Sequence, residues 1–143
     1  MSEPNVPRPI TAVIALVVHE RKLLLVRRIN PPDAGHWGFP GGKLNFGETI
    51  FEAAARELQE ETGIVGQPER VVTAVDAYDR AHGALRAHYV LVAVQCCYLS
   101  GEPIAADDVS DTGWFSWAEM TSGKLPLSHD VERIAGPLLE ASP

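Results

Sequence analysis

The 143-residue sequence predicts an α/β fold in which strands outnumber helices, and three observations predict it. Apolar runs recur at positions 10–18, 23–26 and 87–98, the first and last rich in β-branched residues, bounded by polar or glycine-bearing turns. The segment 49–63 carries helix start and stop signals at helical spacing. A hydrophobic share of 45% against 22% charged residues suits one soluble domain with one substantial core.

In chain order, residues 1–9 hold Pro4, Pro7 and Pro9, each lacking a backbone donor, and read as a flexible leader to a domain spanning 10–143. Residues 10–18 read as a buried strand. They are too few to span a bilayer and lack a small-residue cleavage pattern, so the expected setting is cytoplasmic, without a membrane partner. The polar turn 19–22 leads into a second strand with Arg27 and Arg28 at its far end. Residues 29–47, with Pro31, Pro32, Gly35, Gly38, Pro40, Gly41, Gly42 and Gly47, are loop chemistry that lets backbone lie close to a ligand. Thr49 and Glu52 form a capping box, and Gly63 is a helix stop. Strands follow at 70–77 and 87–98, with 76–83 a polar loop between them. Cys96 and Cys97 point to opposite faces of the second and read as small core fillers, not a disulfide or zinc site. An acidic loop at 107–111, an aromatic strand at 114–117 and a closing helix at 128–139 complete the chain; the last places Val131, Ile134, Leu138 and Leu139 at helical spacing.

The net charge is −7, from 12 Lys and Arg against 19 Asp and Glu, which argues against a surface that grips nucleic-acid backbones. Its distribution matters more than its size, because residues 48–61 hold five carboxylates and one arginine. On a helical wheel Glu57, Glu60 and Glu61 share one face. Phe51, Ala55 and Leu58 make the stripe expected to dock on the sheet, while Ala53 and Ala54 flank the acidic face and leave room above it. Like charges at these spacings disfavour the helix by only about 0.2–0.5 kcal/mol each, so a solvated acidic face is one reading. No lysine answers them on that face, and a glycine loop lies just ahead. Carboxylates beside exposed carbonyls suit a hard cation, Mg2+ or Mn2+.

Gly42, Glu48 and the run Arg56-Glu57-Leu58-Gln59-Glu60-Glu61-Thr62-Gly63-Ile64 match every fixed position of the Nudix box. The chain therefore resembles a Nudix hydrolase, and the resemblance extends through Pro31-Pro32, Gly35, Trp37, Pro40 and Gly41 to Trp114-Phe115. It implies a Nudix fold, a mixed β-sheet sandwiched between α-helices. It also implies that Glu57, Glu60 and Glu61, with the Gly41 carbonyl, bind the metal ions, and that Arg56 holds a carboxylate in place with Glu48 as partner.

Family members hydrolyse nucleoside diphosphates linked to another moiety, and a metal would let an acidic site accept an anionic diphosphate. The proton-accepting base is open among Glu57, Glu61 and a carboxylate from the loop holding Asp107, Asp108 and Asp111; Asp108 is preferred. For substrate contact Arg27 is favoured over Arg28 by strand alternation, with Lys43, Trp37 and Phe39 as further candidates. Tyr78, His88 and Tyr89 are either pocket lining or structural. The wider pattern is similar to the ADP-ribose pyrophosphatase-like branch, whose substrates are ADP-ribose or nucleotide sugars. One departure is that Tyr78 to Arg80 stand where that branch carries a proline. A pyrophosphohydrolase of nucleoside triphosphates, oxidised ones included, is the first alternative. A non-catalytic nucleotide-sensing module is the second, disfavoured by the complete set of box carboxylates. The resemblance also admits a homodimer.

Overall fold

The β-branched run that opens the sequence becomes the middle of a seven-stranded sheet in a computed structural model describing residues 6–31 and 33–140. Most of the expected leader, and Pro32, lie outside the described residues; residues 6–9 have no regular structure. The elements are β1 (Ile10–His19), β2 (Lys22–Arg28), β3 (Trp37–Gly38), β4 (Gly41–Lys43), α1 (Ile50–Thr62), β5 (Val65–Ala81), β6 (Ala84–Ser100), β7 (Val109–Ser116), α2 (Trp117–Met120) and α3 (Val131–Glu140). Val13, Ala15 and Val17 of β1 are fully buried on one face of the sheet and Leu16 on the other, which is why the run is apolar without alternation.

The sheet is mixed, in the order β3-β2-β1-β6-β5. β1 runs parallel to β6, from Ile10 opposite Tyr89 to Val18 opposite Cys97. β1 and β2 pair only beside their turn, at Val18 with Leu23 and His19 with Lys22. Beyond that point they part, and β4 takes the vacated edge of β1, placing Gly41 opposite Ile14 and Gly42 opposite Val13. β2 instead pairs with β7 and β3. The split lays the glycine loop across the middle of the sheet, and a Cβ on Gly41 would collide with the Val13 carbonyl oxygen.

Helices cover both faces. Val131, Ile134, Ala135 and Leu139 of α3 pack with Leu16, Leu23, Leu25, Phe39 and Met120 on one side. Ala53, Ala54 and Leu58 of α1 pack with Val13, Ala15, Val17, Leu24, Ile64 and Val94 on the other. Among the described residues no helix is long and apolar enough to cross a membrane.

Several expectations are corrected. Residues 76–83 are not a loop: β5 and β6 continue past the start of β1 as a hairpin whose turn is confined to His82 and Gly83, both at positive φ. Polar composition there reflects exposure of the hairpin, where Tyr78 faces His88 across the strands with rings 4.8 Å apart. Trp117 begins α2 instead of ending a strand, because Ser116 and Glu119 form a second capping box. Cys96 is buried but Cys97 is exposed, so only one of them fills the core. The docking face of α1 also differs: Ala53, Ala54, Leu58, Glu61 and Thr62 are buried, whereas Phe51 is 40% exposed. The small alanines let the helix approach the sheet, and two of the glutamates turn inward with them.

Candidate active site

The site begins with how α1 is started and stopped. The Thr49 hydroxyl accepts from the Glu52 N–H, and the Glu52 carboxylate accepts from the Thr49 N–H. At the other end Gly63 adopts φ 74 and donates its N–H to the Gln59 carbonyl. Helix phase between these fixed ends directs Glu57 and Glu61 toward β4 and leaves Glu60 outside, its side chain 47% exposed.

Glu61 is only 8% exposed and accepts a hydrogen bond from the Gly41 N–H at 3.0 Å. Burial pushes its carboxyl up to about 7; the Gly41 donation and the charge of Arg28 oppose that, while Glu57 and Asp108 add to it. Glu57 lies against Gly42 so closely that a Cβ there would be driven into its carboxylate. Its carboxyl is raised too, burial outweighing the lowering by Arg56, with Glu60 and Asp107 contributing repulsion.

Arg56 ties the cluster together. Its Nε donates to Glu48 Oε2 at 2.6 Å and its Nη2 to Glu48 Oε1 at 2.9 Å, a bidentate pair. Nη1 reaches Glu57 Oε1 at 2.7 Å and Glu60 Oε2 at 3.2 Å, and Nη2 also reaches the Lys43 carbonyl at 3.1 Å. The pairing with Arg56 holds Glu48 down to about 2. Glu48 in turn accepts from the Asn45 N–H, so the loop and helix of the box are fixed to each other through one guanidinium.

The acidic loop reaches the same place. The Ile29 N–H donates to the Asp108 carbonyl at 3.2 Å, and Asn30 Nδ2 approaches Asp108 Oδ1 at 3.5 Å. Asp107 and Asp108 are thus within electrostatic range of Glu57 and Glu61.

Of the residues expected to contact substrate, Arg27 is turned away: its Nε donates to the Gly35 carbonyl at 3.2 Å. Arg28 is the arginine felt by Glu61. Alternation does separate the two: Leu24 packs on the α1 side, and the parity it sets puts Arg28, not Arg27, in phase with it, which was the signal to follow. Phe39 is 7% exposed within the α3-side core, which corrects its expected stacking role. Trp37 is half-buried on that same side, edge-on to Phe115 at 4.9 Å. Lys43 is exposed. Tyr78 and His88 satisfy each other and Asp76, whose Oδ1 lies 2.8 Å from His88 Nε2.

Chemically, the inward face offers only hard oxygen donors. Among the described residues no three Asp, Glu, His or Cys side chains converge as a ready-made metal cluster, and Arg56 and the Gly41 N–H each occupy carboxylate oxygens. The remaining oxygens of Glu57 and Glu61 fit a hard divalent cation that keeps much of its shell as water. A buried carboxyl near neutrality can also accept a proton at physiological pH.

A family model for the NUDIX domain matches residues 7–135. An ADP-ribose pyrophosphatase from Methanocaldococcus jannaschii is 30% identical over 122 residues, covering 85% of this chain and 69% of that protein. A putative 8-oxo-dGTP diphosphatase 2 from Mycobacterium tuberculosis is 35% identical over 125 residues, covering 85% and 78%. The crystal structure of the MutT NUDIX hydrolase from Burkholderia pseudomallei superposes with a TM-score of 0.78 at 30% identity, over 95% of this chain and 99% of that one. Since the match takes in the sheet and both helical layers as well as the box, the chain belongs to the Nudix family of hydrolases.

Proposed function

We propose that this pyrophosphohydrolase cleaves the diphosphate bond of a nucleoside diphosphate joined to another moiety, with ADP-ribose or a nucleotide sugar as substrate and Mg2+ or Mn2+ as cofactor. The observation that carries this reading is the pair Glu57 and Glu61, turned inward beside Gly41 and Gly42 and buttressed by Arg56. Glu57 and Glu61 would hold the cation, with Glu60 and the Gly41 carbonyl as the further ligands the family resemblance implies, and it would supply charge neutralisation and polarisation of the phosphate oxygens. The chain's own residues do the rest. Arg56 and Glu48 fix the orientation of Glu57. Arg28 offers positive charge to the entering phosphate, taking the part expected of Arg27. Asp108 accepts the proton of the attacking water as its oxygen bonds to phosphorus and the bridging P–O bond breaks. The products are a nucleoside monophosphate and a phosphorylated moiety. The M. jannaschii relative supports ADP-ribose as the first candidate.

A second reading, hydrolysis of oxidised nucleoside triphosphates to monophosphate and pyrophosphate, is favoured by the M. tuberculosis relative. Product identification on a panel of ADP-ribose, nucleotide sugars and canonical and oxidised triphosphates, with Mg2+ present, separates the two. Glu57→Gln and Glu61→Gln are expected to lose at least about a hundredfold in kcat/KM. Asp108→Asn is expected to lose turnover while retaining metal binding; unchanged turnover removes Asp108 from the mechanism. Absence of turnover on the whole panel would point to a sensing module.

A further inference from the structure

Between β6 and β7 the chain crosses the C-terminal end of α1 as a strap, residues 101–108. Glu102, Ile104, Ala106, Asp107 and Asp108 are all exposed, and the first fully buried side chain is Val109. Apolar burial therefore does little to hold the strap. Main-chain hydrogen bonds hold it instead: the Ile104 N–H donates to the Thr62 carbonyl at 2.9 Å, and the Ala106 N–H to the Glu61 carbonyl at 3.1 Å. Both acceptors belong to the last turn of α1, whose carbonyls have no partner inside the helix. At Ala106, one residue before Asp107 and Asp108, the strap is thus registered on the backbone of Glu61 itself.

The approach is closest at Gly101, which has φ +106. A Cβ there would lie 2.7 Å from the Gly63 carbonyl oxygen and 3.3 Å from the Ile64 Cα. Both are main-chain atoms next to a fully buried residue, so neither can swing aside. The Tyr98 hydroxyl donates to the Gly101 carbonyl at 2.7 Å, and the Tyr98 ring is itself held against His19, 4.2 Å away, and Trp114, 5.8 Å away.

We propose that Gly101 is a positioning residue for hydrolysis: its missing side chain lets the strap seat on the α1 terminus, which holds Asp107 and Asp108 beside Glu57 and Glu61. Its effect on turnover rests on the pyrophosphohydrolase reading above; the seating of the strap does not. In Gly101→Ala the strap lifts and the two backbone hydrogen bonds lengthen or break.

The test compares Gly101→Ala with Gly83→Ala, a glycine also at positive φ (+77) but with open space around it, so that backbone strain is common to both and the lost approach is not. Amide exchange at Ile104 and Ala106 and steady-state kinetics on the best panel substrate are the readouts. Gly101→Ala is expected to lose about tenfold in protection at both amides and about tenfold in kcat, with KM within about twofold; Gly83→Ala is expected to change neither. Unchanged protection, or turnover equal to that of Gly83→Ala, overturns the proposal. Should Gly101→Ala not fold, Tyr98→Phe carries the test by removing one anchor: about a threefold loss in protection at Ile104 with a matching fall in kcat supports it, and no change overturns it. Asp108→Asn separates this from the proposed chemistry. If that variant keeps full turnover, the base assignment falls while the strap result stands. If it is inactive and Gly101→Ala behaves as Gly83→Ala, the strap falls and the base assignment stands.

Discussion

Glu61 meets two opposed influences, a buried setting that favours its neutral form and a backbone N–H that favours its ionised one, and burial prevails. With a folded-state value of about 7 above the ordinary 4.5, its contribution to stability is fully present below 4.5 and is lost as pH rises through 7. Glu57 acts in the same sense. Glu48, held down to about 2, acts in the opposite one: its contribution is complete above 4.5 and is lost as pH falls toward 2. The metal-free protein is therefore expected to gain Tm as pH is lowered from about 8 to about 5 and to lose it again below that, with Glu61→Gln flattening the first limb. A wild-type Tm that is level over that range contradicts the assignment. At Gly42 the expectation is equally local. Gly42→Ala drives a methyl into the Glu57 carboxylate, so metal affinity and turnover should fall at least about tenfold with the fold retained by circular dichroism. The acidic residues stand together in the sequence because their spacing is unambiguous; the choice between Arg27 and Arg28 was not legible because a strand's parity is set by neighbours the sequence does not mark, and Phe39, between β3 and β4, is buried by packing on the α3 side that no local pattern announces.

Among the elements, α1 shows where sequence reading stops. Its start and stop were legible from Thr49, Glu52 and Gly63, residues whose roles are completed within one turn. Its buried face was not, since Phe51 is more hydrophobic than Ala54 yet stays half outside; close approach to the sheet selects for small side chains, a property of the tertiary contact. Thr49→Ala is expected to lower stability by about 1 kcal/mol in urea denaturation. Leu58→Ala, at a fully buried position, is expected to lower it by about 2–5 kcal/mol. The short strands β3 and β4 were hidden by their glycine and proline content, which reads as loop although the backbone is paired.

For the whole molecule, the sheet separates two apolar layers, and only the α1 side carries the carboxylates. Damage to the α3 side should be felt as stability without chemistry: Ile134→Ala is expected to lose about 2–4 kcal/mol while kcat at 25 °C stays within about twofold of wild type. Leu58→Ala should reduce both, because the same helix that loses packing also aims Glu57 and Glu61. Equal kinetic damage from the two sides would mean that the sheet does not insulate them. The apolar strand runs and the well-bounded helix 49–63 made the fold class legible; the splitting of β1 from β2 to admit β4 was not, because register is decided by pairing between distant segments.

The parallel pairing of β1 with β6 joins residue 10 to residue 89, so the centre of the sheet closes only after the intervening chain, α1 included, has been gathered in. Such non-local contacts are slow to form compared with a capped helix. On refolding from denaturant, helical signal is therefore expected to return ahead of hydrolytic activity, because the site is complete only once β4 and the strap have joined α1 on the closed sheet; simultaneous recovery of the two signals would contradict this.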